Sequence, residues 1–207
     1  MIFYKNGVTD ILHVHIPRTG GRFIREVFHN SHYSRARLGE EFYKGKEVYH
    51  LDIKSAQEYY STLPSQIFTV VRNPISKFVS GLAYIEQELN RINQNISVLD
   101  DKNLFLYYMN AHPMYCHDPS EDMNHFAVIT KGFYNFTGNW YKKQHEFIDD
   151  RVKVWKYEDG LDYNFGEWLT QEFDVDLDLS LFNTLKPEKT WFDKKYKISK
   201  KLEQNII

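Results

Sequence analysis

The spacing of apolar positions changes period abruptly within residues 11–28. Leu12, Val14 and Ile16 alternate with polar or less apolar neighbours, the two-residue period of a strand. Phe23, Ile24, Val27 and Phe28 instead fall on one stripe of a helix. The PRTGG between them predicts a tight loop. Pro17 ends the strand, Thr19 can cap the helix, and Gly20 and Gly21 leave the N–H groups of residues 19–23 open to an anion. A strand entering a helix this way makes a phosphate cradle at the helix N-terminus. A second such unit follows. Residues 67–71 are an apolar run of β-formers, as expected of a buried central parallel strand. Asn73 and Pro74 open a helix whose stripe is Ile75, Phe78, Val79, Leu82, Ile85 and Leu89. Arg72 is left at the strand's carboxyl end, and Ser80 lies two turns into the helix, opposite most of the stripe.

Elsewhere the pattern is plainer. Residues 29–46 read as loop, and 47–53 as a strand with Val48, His50 and Asp52 on one side. Residues 55–62 read as a short helix, 90–101 as loop and 104–109 as another short helix. Residues 151–157 read as a strand that ends in the acidic pair Glu158 and Asp159, before a helix bearing Phe165, Trp168, Leu169 and Phe173. Strands alternating with helices predict an α/β fold, a three-layer domain with a mainly parallel central sheet flanked by helices. At 207 residues the chain fits a single domain, 1–207, able to bury roughly 70% of its unfolded surface.

Composition narrows the function classes. One cysteine excludes an internal disulfide framework. His112, Cys116, His117 and His125 lack the paired spacing of a zinc site and are read as polar loop residues, with no metal expected. The N-terminal MIFYKNGVTD has neither a long apolar run nor a basic lead into one, so the expectation is a cytoplasmic protein without a membrane anchor. The net charge of −2 gives no reason to expect nucleic acid. Residues 1–82 nevertheless hold 11 Lys or Arg against 7 Asp or Glu, and residues 149–178 hold 3 against 10. A basic half around an anion loop suits a polyanionic nucleotide, although solvated charged faces are the commoner cause of such unevenness. Aromatic residues make up 16%, enough for a thick core or for stacking surfaces.

The loop is not the G-x-x-x-x-G-K-[ST] of nucleoside triphosphatases. HIPRTGGRF resembles the 5′-phosphosulfate loop of sulfotransferases that use 3′-phosphoadenosine 5′-phosphosulfate (PAPS). Its likeness is greatest to the HIPKTGG form of carbohydrate O-sulfotransferases of the heparan sulfate 2-O type. Arg18 stands where Lys is usual, and Arg22 where a small hydroxyl residue is usual. VVRNPISKFVSGL resembles the family's 3′-phosphate motif, with R-[DN]-P, Lys77, and Ser80 eight positions after Arg72. KYEDG at residues 156–160 resembles a late strand and acidic turn, with Gly160 in place of Leu, to which a structural role is assigned.

The resemblance implies a P-loop-like fold and sulfuryl transfer from PAPS to a hydroxyl, on a carbohydrate, leaving adenosine 3′,5′-bisphosphate. Arg18, Thr19, Gly20, Gly21, Arg22 and Phe23 would hold the 5′ side of the nucleotide, and Arg72 and Ser80 the 3′-phosphate. Arg18 would also neutralise charge on the leaving oxygens, and His50 would be the base, with Asp52 orienting it or taking its place. Three rivals stand beside this reading: a nucleotide kinase, a non-catalytic nucleotide-binding relative, and a protein-tyrosine sulfotransferase. His50 as a buried polar strand residue is the plainer alternative at that position.

Overall fold

The structure, a computed structural model, describes residues 1–5, 8–35, 42–43, 46–91 and 143–185. Two compact units are formed: one from Met1–Tyr43, Val48–Arg72 and Lys142–Lys189, the other from Lys44–Glu47, Asn73–Tyr141 and Thr190–Ile207. In chain order the elements are β1 (Ile2–Lys5), β2 (Val8–His13), α1 (Gly21–Asn30), β3 (Ser34–Arg35), β4 (Phe42–Tyr43), β5 (Lys46–Glu47), α2 (Ile53–Tyr60), β6 (Ile67–Val71), α3 (Pro74–Arg91), β7 (Lys153–Lys156), α4 (Tyr163–Phe173) and α5 (Leu181–Thr184). Single 3₁₀ turns occur at Val48–His50, Gln144–Phe147 and Tyr157–Asp159.

The first unit is built on a five-stranded mixed sheet of order β3-β1-β2-β6-β7. β6 lies parallel to both β2 and β7, as its almost continuous apolar run predicts, with Leu12 beside Ile67 and Val70 beside Trp155. The other two pairings are antiparallel. β1 folds back on β2, with Ile2 opposite Leu12, and β3 adds an edge beside β1. The expected mainly parallel sheet is therefore a mixed one. The N-terminal IFYK and the SR dipeptide are too short for a period to register, yet they complete the sheet edge.

Adjacent residues of each strand go to opposite faces. Phe3, Ile11, Phe68 and Val70 meet Phe23, Ile24, Val27 and Phe28 of α1 and Phe165, Leu169 and Phe173 of α4. Ile2, Leu12, Val14, Ile16 and Ile67 meet Ile53 of α2 and Phe147. Helices thus flank the sheet, and α1 buries the stripe its spacing predicts. The first face is aromatic: Phe3 stacks on Phe28 with ring centroids 4.2 Å apart, and Phe68 lies within 6.4 Å of Phe165, Trp168 and Phe173. Much of the aromatic share thereby serves as core.

Residues 48–53 depart from the strand expectation. Val48 and Leu51 are three apart and both meet Ala56 of α2, a helical spacing that outweighs the apparent alternation. A 3₁₀ turn over Val48–His50 leads instead into α2, whose N-cap is Asp52. In the second unit, α3 begins as expected: Asn73 Oδ1 accepts from the N–H of Ser76 at 3.1 Å, and Pro74 occupies the first turn. Of the loop expected over 90–101, Asn90 and Arg91 belong to α3, and its remainder, the 104–109 helix and the stretch bearing His112, Cys116, His117 and His125 lie outside the described residues.

Candidate functional site

The loop after β2 is shaped by two left-handed residues. Arg18 has φ +68° and Gly20 φ +92°, the former uncommon for a residue with a side chain. Thr19 does not cap the helix. Its hydroxyl turns inward and donates to the Ile16 carbonyl at 2.8 Å, closing the loop, and Gly20 becomes the N-cap. The first helical bond runs from the Ile24 N–H to the Gly20 carbonyl at 3.1 Å, so the N–H groups of Gly21, Arg22 and Phe23 precede the ladder. No acidic residue stands in this first turn to offset the positive end of the helix dipole. Arg22 is exposed, whereas the Phe23 ring is buried, 5.7 Å from Phe182 in an edge contact. Only the backbone of Phe23 is in a position to serve a ligand.

Arg72 comes to this loop from 54 positions away. Its Nη1 donates to the Arg18 carbonyl at 3.3 Å, and its guanidinium lies 4.4 Å over the ring of Tyr157. The Gln144 side chain holds the Arg72 backbone by both edges, Oε1 accepting from its N–H at 2.8 Å and Nε2 donating to its carbonyl at 2.6 Å. This amide replaces a neighbouring strand where β6 ends.

The late turn joins them. A Cβ on Gly20 would overlap Leu161 and stand 3.4 Å from the Tyr157 ring. Gly160, with φ +94°, delays the leucine by one position, and Leu161 then covers Gly20. The turn's structural role is thus packing against the anion loop. Tyr157 and Gln144 were missed as site residues because long-range packing alone assigns them.

A group of imidazoles lies behind the loop. His13 is wholly buried, with its ring stacked on Phe68 at 4.7 Å, and neither of its nitrogens has a hydrogen-bond partner among the described residues. His15 is half-buried, its Nδ1 enclosed and without a partner among the described residues. Its ring centroid is 5.4 Å from that of His13 and 4.5 Å from that of His50. A Cβ on Gly21 would overlap the His15 ring, so the imidazole fills the space beneath the first residue of α1. Burial holds His15 well below the ordinary histidine value, with the fields of His50, His13, the Met1 ammonium and Arg25 adding to the effect. Burial likewise depresses His13, followed by the Met1 ammonium and His50. Both rings are neutral at pH 7. The H-x-H at residues 13–15 was the available sequence signal; its meeting with His50 was not.

Asp52 is 3% exposed, and its carboxylate accepts from the Ser55 N–H at 2.9 Å and Ser55 Oγ at 3.1 Å. It anchors α2 directly after His50. In the second unit, Lys77 and Ser80 are buried on α3. Burial pushes the Lys77 amine down to about 8.

A surface cleft of about 870 Å³ runs between α1 and the β1–β3 edge, lined by Arg25, His29, His32, Arg35, Tyr4 and Tyr33 among others. Among the described residues, no group of three or more His, Cys, Asp or Glu could hold a metal ion, and no helix is long and apolar enough to cross a membrane. Comparison of the chain with protein-family models, curated proteins and solved structures finds no match.

Proposed function

We propose that this protein is a PAPS-dependent sulfotransferase with a P-loop-like fold, transferring a sulfuryl group to a hydroxyl of a carbohydrate. The observation that carries the reading is the bond from Arg72 to the Arg18 carbonyl, which unites the two motifs read as nucleotide-binding. The residues fit an anionic nucleotide: a helix start without acid, a left-handed Gly20, and a guanidinium fork at the loop. The N–H groups of residues 19–22 hold the 5′-phosphate. Arg18 neutralises charge on the leaving oxygens but does not act as an acid, because a guanidinium keeps its protons. Arg72 takes the 3′-phosphate, an assignment that rests on the R-N-P motif and its eight-residue spacing to Ser80 in the sequence.

In the transfer, the acceptor oxygen forms a bond to sulfur, the bond from sulfur to the leaving phosphate oxygen breaks, and the acceptor proton passes to His50. Placement and charge stabilisation supply most of the rate, as in phosphoryl transfer. Asp52, whose carboxylate is engaged by Ser55 as the cap of α2, is the poorer candidate for the base. The cleft beside α1, rich in tyrosine and basic side chains, is a polar surface suited to a sugar.

Calorimetry tests the reading. Adenosine 3′,5′-bisphosphate is expected to bind more tightly than adenosine 5′-monophosphate. Loss of a charge-assisted bond costs roughly 1.5–3 kcal/mol, and Arg72→Ala should withdraw that much from the bisphosphate alone. Equal weakening of both nucleotides would remove Arg72 from the 3′-phosphate site.

A further inference from the structure

Buried polar atoms are rarely left without partners, so three nitrogens on His13 and His15 that have none among the described residues call for a reason. Simple core filling is a poor one. Leucine or phenylalanine would occupy the place of His13 against Phe68 without desolvating polar atoms. The arrangement is also directional: His13 is sealed in the core, His15 is half-buried under Gly21, and His50 lies against His15 at the start of the path to α2. The His15 ring is confined on one side by the anion loop and on the other by His50, so a shift of either is felt by the other.

Resting on the sulfotransferase reading, we propose that His15 is a positioning residue for His50. Its neutral imidazole, fixed beneath Gly21, sets the ring orientation in which His50 receives the acceptor proton. His13 backs His15 and keeps it from turning inward. The proton goes to His50 and leaves from His50 to water after transfer; His15 and His13 stay neutral throughout. The charged group facing the pair is Arg25 from α1, which opposes a proton on His15, whereas burial pushes the Met1 amine just ahead of β1 down to about 5. A proton on His15 is therefore disfavoured, and its ring stays a neutral neighbour of His50.

Two substitutions separate positioning from space filling. His15→Phe keeps the ring shape and loses the nitrogens, whereas His15→Gln keeps a polar partner and loses the ring. Misplacing a reacting group by about 1 Å can cost 10²-fold, so His15→Phe should lose roughly that factor in single-turnover transfer from PAPS, with affinity for adenosine 3′,5′-bisphosphate retained. His15→Gln should recover part of the loss. A space-filling role predicts the reverse order, Phe active and Gln impaired, and that order would overturn the proposal.

A readout independent of turnover is the imidazole titration of His50 by nuclear magnetic resonance. In His15→Phe its midpoint and its tautomer signals should change, because the ring 4.5 Å away has lost its nitrogens. An unchanged midpoint and tautomer in a folded variant would equally overturn the proposal. If the wild type transfers no sulfuryl group, the sulfotransferase reading fails separately, and the titration still decides whether His15 governs His50.

Discussion

The two faces of the sheet bury polar groups in opposite ways. On the α2 face the core is mostly aliphatic, and its buried Thr69 is satisfied, the hydroxyl donating to the Val14 carbonyl at 2.7 Å. On the α1 face the core is aromatic, and it carries His13 against Phe68 and His15 beneath Gly21, with nitrogens that lack partners among the described residues. One chain, one sheet and adjacent residues thus give two treatments of the same problem. A purely structural face resolves its polar atoms, and a face that retains unresolved ones at the edge of an anion loop has another use for them.

The largest effect expected from this contrast is on stability. Phe28 is fully buried and stacked on Phe3, and Phe28→Ala should cost about 3–5 kcal/mol in denaturant unfolding. A cost below about 1 kcal/mol would mean that the aromatic face is not the core described. The next is a pair of opposite signs. Thr69→Val leaves the Val14 carbonyl without this donor and should destabilise by about 1–3 kcal/mol. His13→Phe removes two desolvated nitrogens and should be neutral or stabilising. If both substitutions destabilise alike, His13 is a satisfied structural residue and the contrast between the faces collapses.

A smaller effect is the dependence on pH. His13 and His15 have folded values below the ordinary 6.5, so below that pH the unfolded chain binds protons that the native one does not. Stability is present in full above about pH 6.5 and is lost as pH falls, by about 1.4 kcal/mol per pH unit for each histidine. In His13→Phe that slope should be roughly halved. An unaltered slope in unfolding titrations between pH 5 and 6.5 would show that His13 is not held neutral by the fold.

What the sequence disclosed follows the range of the interactions involved. The junction from β2 through Gly20 to α1 was legible because a change of period is local, and the β6–Asn73–Pro74–α3 junction for the same reason. The β1 and β3 edge was not, since strands of four and two residues show no period. Residues 47–53 misled because EVYHLDI alternates by chance. The competing signal was Asp52 ahead of a helical run with Ser55 three positions on, and it was the stronger one. Thr19 was read as a cap by residue type, but a left-handed Gly20 took that place once the threonine hydroxyl had closed on Ile16. The meeting of His15 with His50, and of Arg72 with Tyr157 and Gln144, belongs to tertiary structure and left no local trace.

The central claim is that the histidine-bearing face performs sulfuryl transfer, with His50 receiving the proton. Single-turnover transfer of labelled sulfuryl from PAPS to a panel of oligosaccharides, comparing His50→Ala with wild type, tests it most directly. Loss of a general base typically costs roughly 10²- to 10⁴-fold, and the variant should show that loss while binding adenosine 3′,5′-bisphosphate as wild type does. A rate within a few-fold of wild type, with the nucleotide still bound, would contradict the claim and turn attention to Asp52.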